Sequence, residues 1–219
     1  MREIKLSPSI FAADITRLLE KIRILEQNNV QMLHIDVMDG HFVSQMAYGA
    51  EHIRMIKKCT NIPLDVHMMV MQPEYHIESI INAGADMVTV HQESTKCLYH
   101  CIQMIKRGGK KCAVALSPAT NHLNIECMLG ILDMVLIMTV NPGEGNQVFL
   151  TDMLEKIKSV RKILHGKNID IEVDGSINPS TAADCYKAGA NIFVSGGYIF
   201  NGDIADNIKI LWDTLKLQR

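Results

Sequence analysis

The segment His34-Ile35-Asp36-Val37-Met38-Asp39-Gly40-His41-Phe42 sets an imidazole and a carboxyl two residues apart. In an extended strand alternate side chains point the same way, so His34, Asp36 and Met38 share one face and Leu33, Ile35 and Val37 take the other, apolar one. A His and an Asp on an otherwise buried strand are costly without partners. A metal ion is one natural partner; an internally hydrogen-bonded pair is the other. The pattern returns in Asp65-Val66-His67-Met68-Met69, where Asp65, His67 and Met69 share a face. If the two strands pair in parallel, His67 lies close to His34. A third segment, Ile169-Asp170-Ile171-Glu172-Val173-Asp174-Gly175-Ser176, ends its strand on Asp174, and Asp170 and Glu172 on the same face read as a polar floor. His34, Asp36, His67 and Asp174 together would make a two-imidazole, two-carboxylate set, which suits Zn²⁺, Fe²⁺, Co²⁺ or Mn²⁺.

These residues need elements that bring them to one place. Short apolar runs predict strands at Ile4–Ser9, Met32–Met38, Pro63–Met69, Met87–His91, Lys111–Ser117, Met134–Thr139, Asp170–Asp174 and Ile192–Ser195. Helical patterns lie between them. Asp14 reads as an N-cap before Ile15, Leu18, Leu19, Ile22 and Leu25. Pro73 and Asn178-Pro179 open two further helical segments, which stop at Ala83-Gly84-Ala85-Asp86 and Ala188-Gly189-Ala190-Asn191, each followed at once by a strand. Eight strands alternating with helices predict an α/β fold, a single (β/α)₈ TIM barrel over residues 1–219. The alternative is an open doubly wound sheet, but no GxGxxG follows the first strand, and no linker rich in Pro, Gly or Ser divides the chain.

Composition removes other classes. Apolar residues are 47% of the 219, too many for a disordered chain. No apolar run reaches the length of about 18 residues that a membrane helix needs. Residues 1–8 carry charges and no long apolar stretch, unlike a secretory leader, which predicts a cytoplasmic protein. With 22 Lys+Arg against 24 Asp+Glu there is no basic excess for a nucleic acid. The six cysteines form no CxxC pair and are expected as free thiols; Cys97 and Cys101, four apart, do not by themselves make a zinc site. Most of the 14 methionines are expected as core filler.

The sequence resembles the ribulose-phosphate 3-epimerase family along nearly its whole length. The resemblance is carried by LSPSIFAAD from Leu6, HIDVMDGHFV from His34, PLDVHMMV from Pro63, AGADMVTVH from Ala83, MTVNPG from Met138, IEVDGSIN from Ile171 and AGANIFVSG from Ala188. It implies a barrel enzyme of carbohydrate metabolism, in the pentose phosphate pathway, that inverts C3 of a ketose phosphate with one divalent cation. It places the metal ligands on His34, Asp36, His67 and Asp174 and the acid–base pair on Asp36 and Asp174. It places substrate contacts on Ser7, His67, Met38, Met69 and Met138, on the glycine-rich loop Gly143, Glu144, Gly145 and Asn146, and on the phosphate turns Gly175-Ser176 and Gly196-Gly197. It also implies a homo-oligomer, dimer or hexamer. Inverting a carbon beside a carbonyl means taking a proton from one face and returning one to the other, which explains two opposed carboxyls. A metal stabilises the enediolate charge as a Lewis acid.

The departures from the family cluster around substrate. Ser44-Gln45 stand where Pro-Asn is usual, Gly143-Glu144-Gly145-Asn146-Gln147 replaces GFGGQ or GFAGQ, and Gly196-Gly197 replaces Gly-Ser. Ser117 stands in the usual LNPAT, and Asp174-Gly175-Ser176-Ile177 resembles the DGS of the D-allulose 6-phosphate branch. The main expectation is interconversion of D-ribulose 5-phosphate and D-xylulose 5-phosphate. The alternatives are 3-epimerisation of D-allulose 6-phosphate and a non-catalytic sugar-phosphate-binding barrel. A Schiff-base aldolase would want a lysine at a strand end, and none of the predicted strands ends in one.

Overall fold

A computed structural model gives the structure of the protein and describes residues 2–218. Eight strands form one parallel sheet: β1 (Lys5–Ser7), β2 (Leu33–Met38), β3 (Leu64–Met69), β4 (Met87–His91), β5 (Lys111–Leu116), β6 (Met134–Met138), β7 (Asp170–Asp174) and β8 (Ile192–Val194). Each pairs with its successor from β2 onward, and β8 returns to β1, with Lys5 opposite Ile192. The ring closes between β1 and β2 through a thin seam. A single parallel bridge joins Ser9 to His34, and the His34 N–H donates to the Pro8 carbonyl at 3.0 Å. Pro8 has no N–H of its own, so the ladder cannot continue through it.

The helices follow the strands: α1 (Leu18–Gln27), α2 (Ala50–Lys57), α3 (Ile77–Ala83), α4 (Leu98–Arg107), α5 (Met153–Ile163), α6 (Pro179–Ala188), α7 (Gly197–Phe200) and α8 (Ile204–Lys216). The β5–β6 connection differs from the expected pattern: it is a 3₁₀ segment, His122–Met128, capped by the Asn121 side chain. Asp14 caps a 3₁₀ turn, Ile15–Arg17, that leads into α1. At α6 the Asn178 side chain accepts from the Ser180 and Thr181 amides, the Thr181 hydroxyl accepts from the Asn178 N–H, and Pro179 opens the helix. Gly189 ends it at φ 120°, where a Cβ would meet the Arg161 side chain at 2.8 Å.

Alternation decides what each strand face buries. Ile35, Val37, Leu64, Val66, Val88, Val114, Val135, Ile171, Val173 and Phe193 belong to one large core with the apolar stripes of the helices. Each such side chain withdrawn from water contributes about 1.5–3 kcal/mol. Inside the ring, Met32, Met87, Ala113, Met134 and Ile192 form a separate plug. Ser7, His34, Asp65, His67 and Glu172 are also buried there, so the middle of the barrel is polar. The C-terminal ends of the strands carry the remaining inward groups.

Candidate active site

Register places the chemistry. His34 lies opposite Asp65, Asp36 opposite His67 and Met38 opposite Met69, while Asp174 ends β7 beside Met138. Four donor atoms converge from three strands. His34 Nε2 is 3.5 Å from Asp36 Oδ1, 3.8 Å from Asp174 Oδ2 and 3.2 Å from His67 Nδ1. His67 Nδ1 is 3.6 Å from each of the same carboxylate oxygens. A tetrahedral cation with bonds of about 2.1 Å holds its donors about 3.4 Å apart. The four atoms therefore have the edge lengths of one coordination shell, and this is the mixed N/O set that a borderline divalent cation takes.

Hydrogen bonds behind the two imidazoles turn their lone pairs toward that centre. His34 Nδ1 lies 2.7 Å from Asp65 Oδ2, so its proton belongs there and Nε2 is bare. His67 is fixed by a longer chain. Burial pulls the His91 imidazole down to a pKa of about 4, so it is neutral, and its Nδ1–H donates to Glu93 Oε2 at 3.0 Å. His91 Nε2 is then an acceptor and receives the His67 Nε2–H at 2.8 Å, the two ring planes lying 22° from parallel. That leaves His67 Nδ1 as a free lone pair. Such outer partners set tautomer and ring orientation in metal sites.

Protons compete with a cation for the same imidazole nitrogens, because, against burial, the neighbouring carboxylates raise the pKa of both His34 and His67. Burial alone would raise the Asp36 carboxyl, but the charge and hydrogen bonds of His34 and His67 outweigh it and hold it well below the usual range. Burial works against a charged His34, yet Asp65 and Asp36 reverse it and raise its pKa. Below, Glu172 is fully buried beside Asp65 and 4.0 Å from His34 Nδ1. Burial, then the Asp65 charge, raise its pKa well above normal. Glu172 thus belongs to the layer under the donors. Asp170 is the floor residue, ion-paired with Arg2 and Lys5 at 3.1 Å each.

A cavity of about 690 Å³ opens over the donors. Asp36, Asp174, Met38, Met69 and Met138 line it, and so do Gly143, Glu144, Gly145, Asn146, Gly175, Ser176, Gly196 and Gly197. His34 and His67 are wholly buried beneath it. Among the described residues, no Lys or Arg lines it. Glycine is required at two points. At Gly175, φ 124°, a Cβ would lie 2.4 Å from Val140 Cγ2; at Gly143, φ 87°, it would lie 2.3 Å from Val43 Cβ. The glycine-rich loop is braced by Gln147, whose amide donates to the Asn141 and Glu144 carbonyls at 2.6 and 2.9 Å. The Ser176 hydroxyl is committed to the Gln147 carbonyl.

Ser7 is a correction to the sequence reading. It is fully buried, bonds Asp65 Oδ2 at 3.2 Å and does not line the cavity. Ser9 lines it instead, and its hydroxyl donates to Asp36 Oδ2 at 2.5 Å. Sequence reasoning also missed His91 and Glu93. Their signal was present, since Thr89, His91 and Glu93 repeat the two-residue spacing of polar groups seen on the neighbouring strands.

Comparison with known proteins meets this geometry at one point. The profile of the ribulose-phosphate 3 epimerase family matches residues 5–200. The chain belongs to that family. It is 42% identical over 200 residues to the ribulose-phosphate 3-epimerase of Bacillus subtilis (strain 168), covering 90% of this chain and 92% of that protein. It is 40% identical over 212 residues to the chloroplastic ribulose-5-phosphate-3-epimerase of Arabidopsis thaliana, covering 94% and 75%. Among solved structures, 3-keto-L-gulonate-6-phosphate decarboxylase from Vibrio cholerae superposes with a TM-score of 0.74 at 12% identity, over the whole of both chains. A 3-hexulose-6-phosphate synthase superposes at 0.71 with 21% identity, over 96% of this chain and 99% of that one. These two likenesses are likenesses of fold. No described helix is long and apolar enough to cross a membrane.

Proposed function

We propose that the protein interconverts D-ribulose 5-phosphate and D-xylulose 5-phosphate by inverting C3. The observation that carries this reading is the pair Asp36 and Asp174. They stand on strands β2 and β7, both line the cavity, and each sends one oxygen to the shared donor centre. Binding a sugar phosphate needs no such pair; moving a proton across a carbon does.

His34, Asp36, His67 and Asp174 would hold one divalent cation, of the Zn²⁺, Fe²⁺, Co²⁺ or Mn²⁺ kind. When bound, the cation supplies Lewis-acid stabilisation of the charge that builds on substrate oxygen. In our reading one carboxylate removes the C3 proton and the opposite carboxyl returns one, and the roles reverse for the reverse reaction. The Ser9 hydroxyl holds Asp36 Oδ2 in place. Met38, Met69 and Met138 wall the reacting end without offering a proton, and exclusion of water strengthens every charge interaction inside. With no cation among the cavity residues, backbone N–H groups of Gly175, Ser176, Gly196 and Gly197 are the donors left for the phosphate.

The test is a panel of pentulose and hexulose phosphates assayed for C3 epimerisation in heavy water. We expect the highest kcat/KM on ribulose 5-phosphate, with deuterium incorporated at C3 of the product. A higher value on allulose 6-phosphate would move the substrate to the hexulose branch. Epimerised product without solvent deuterium would refute the two-carboxylate scheme.

A further inference from the structure

A second group of metal-ligating side chains lies away from the substrate cavity. Glu74 sits in the 3₁₀ turn Pro73–Tyr75 after β3, and Thr95 follows β4. Cys97 is the N-cap of α4, and Cys101 is one helical turn further on, so the two thiols fall on the same side of the helix. We propose that Glu74, Thr95, Cys97 and Cys101 form a second cation site, selective for a thiophilic divalent ion of the zinc type.

The distance from Cys101 Sγ to the Glu74 carboxylate is that of a coordination shell, while Thr95 Oγ1 stands at hydrogen-bond distance from Glu74 and Cys97. Cys101 Sγ lies 3.7 Å from Glu74 Oε2 and 3.9 Å from Thr95 Oγ1. Thr95 Oγ1 lies 2.9 Å from Glu74 Oε2 and 3.2 Å from Cys97 Sγ. The carboxylate and the two sulfurs all lie within 4.8 Å of one another. Zinc bonds of about 2.3 Å to sulfur and about 2.1 Å to oxygen set sulfur–oxygen edges of about 3.6 Å and sulfur–sulfur edges of about 3.8 Å. The donor chemistry differs from that of the substrate site: two sulfurs, a carboxylate and a hydroxyl select a softer ion than imidazoles and carboxylates do.

The charge balance of the cluster points the same way. Glu74 makes no ion pair with a basic side chain among the described residues; a hydroxyl and a thiol are its side-chain partners. Binding through the thiolates replaces S–H bonds with S–metal bonds and releases protons, with no change of oxidation state. Access is from outside: Thr95, Cys97 and His100 line a surface groove of about 540 Å³, and none of the four proposed ligands lines the substrate cavity.

Co²⁺ titration of the phosphine-reduced full chain tests this, because thiolate bound to Co²⁺ gives a near-ultraviolet charge-transfer band that a His/Asp centre lacks. We expect two cobalt ions per chain by elemental analysis and a thiolate band saturating at one equivalent. Cys97→Ser, Cys101→Ser and Glu74→Gln should each lose the second equivalent. Ribulose 5-phosphate turnover should be retained in all three, and Cys127→Ser, a groove thiol outside the cluster, should keep the band. One cobalt ion per chain with no band, a band that persists in both Cys97→Ser and Cys101→Ser, or a band lost only in Cys127→Ser would overturn the proposal. Glu74→Gln, at a part-exposed position, guards against misfolding of the buried Cys101 variant.

Discussion

Replacing Asp65 by Asn separates the orientation of a metal ligand from the ligand itself. Asp65 does not line the cavity, and it is wholly buried behind His34 with Oδ2 2.7 Å from His34 Nδ1. The substitution conserves volume but removes the charge, and the new amide can donate to Nδ1. The imidazole proton would then move to Nε2, the atom facing the donor centre. A hydrogen bond to a charged group contributes about 1.5–3 kcal/mol. At about 1.4 kcal/mol per decade, its loss weakens cation binding by about 10- to 150-fold, which overlaps the range of outer-partner mutations in metal sites, about 10- to 100-fold. The assay is chelator competition for Zn²⁺, with circular dichroism and melting as checks of the fold. Ser7→Ala is the control, since it removes only the 3.2 Å hydroxyl bond to Asp65 and leaves the bond to His34. A folded Asp65→Asn protein that binds Zn²⁺ within about threefold of wild type, a difference under about 0.7 kcal/mol, would refute the reasoning.

Asp36→Asn and Asp174→Asn should each lower kcat by about 10²- to 10⁴-fold, the scale of a lost proton carrier; chelation should abolish turnover in wild type and added metal restore it, and an active metal-free preparation would contradict this. Gly197→Ser fits the site, because a Cβ there meets nothing within 4 Å. A hydroxyl to the phosphate at about 1.5–3 kcal/mol should lower KM for ribulose 5-phosphate by about 10- to 150-fold, and Glu144→Phe, which removes a negative charge from the cavity lining, should act in the same direction; unchanged KM in both would show that the loop is already fitted to its substrate. Glu93 sets an acid limit. Burial raises its pKa, but His91, Thr120 and the Ser117 amide outweigh that and pull it from 4.5 to about 2. The unfolded chain therefore binds the proton first, so the stabilisation is full above 4.5 and is lost as pH falls toward about 2. Wild-type melting temperature should drop across that window more steeply than that of Glu93→Gln, and parallel curves would dismiss the anchor.

The strands were legible because both faces of each are constrained. The outer faces are apolar throughout, mostly Val, Ile and Leu, and the inner faces of β2, β3 and β7 carry polar groups at alternate positions, giving way to Met38 and Met69 at the ends of β2 and β3. The expected strand ends fall within two residues of the observed ones. What alternation does not encode is depth. Ser7 and Ser9 share a face, but at about 3.3 Å per residue they lie about 6–7 Å apart along the barrel, and only the later one reaches the cavity. Glu172 was misjudged as floor for the same reason: it sits one alternation above Asp170, beside His34. The chain from Glu93 through His91 to His67 depends on which strands are neighbours, which local pattern does not state. The 3₁₀ segment between β5 and β6 was hidden because His122, Asn124 and Glu126 interrupt any continuous apolar stripe.

The seam at Pro8 gives the chain a particular order of assembly. β1 is made before the other strands, yet its ladder partner is β8, the last of them in chain order. The first strand must wait for the seven others before it can dock, a pairing of very high sequence separation. When it docks, one bridge to His34 completes the ring and the Ser9 hydroxyl arrives on Asp36. Until then Asp36 lacks that partner and the ring stays open beside His34. Ring closure and completion of the carboxylate's surroundings are one event, so a nascent or partly unfolded chain has no finished catalytic centre to misuse.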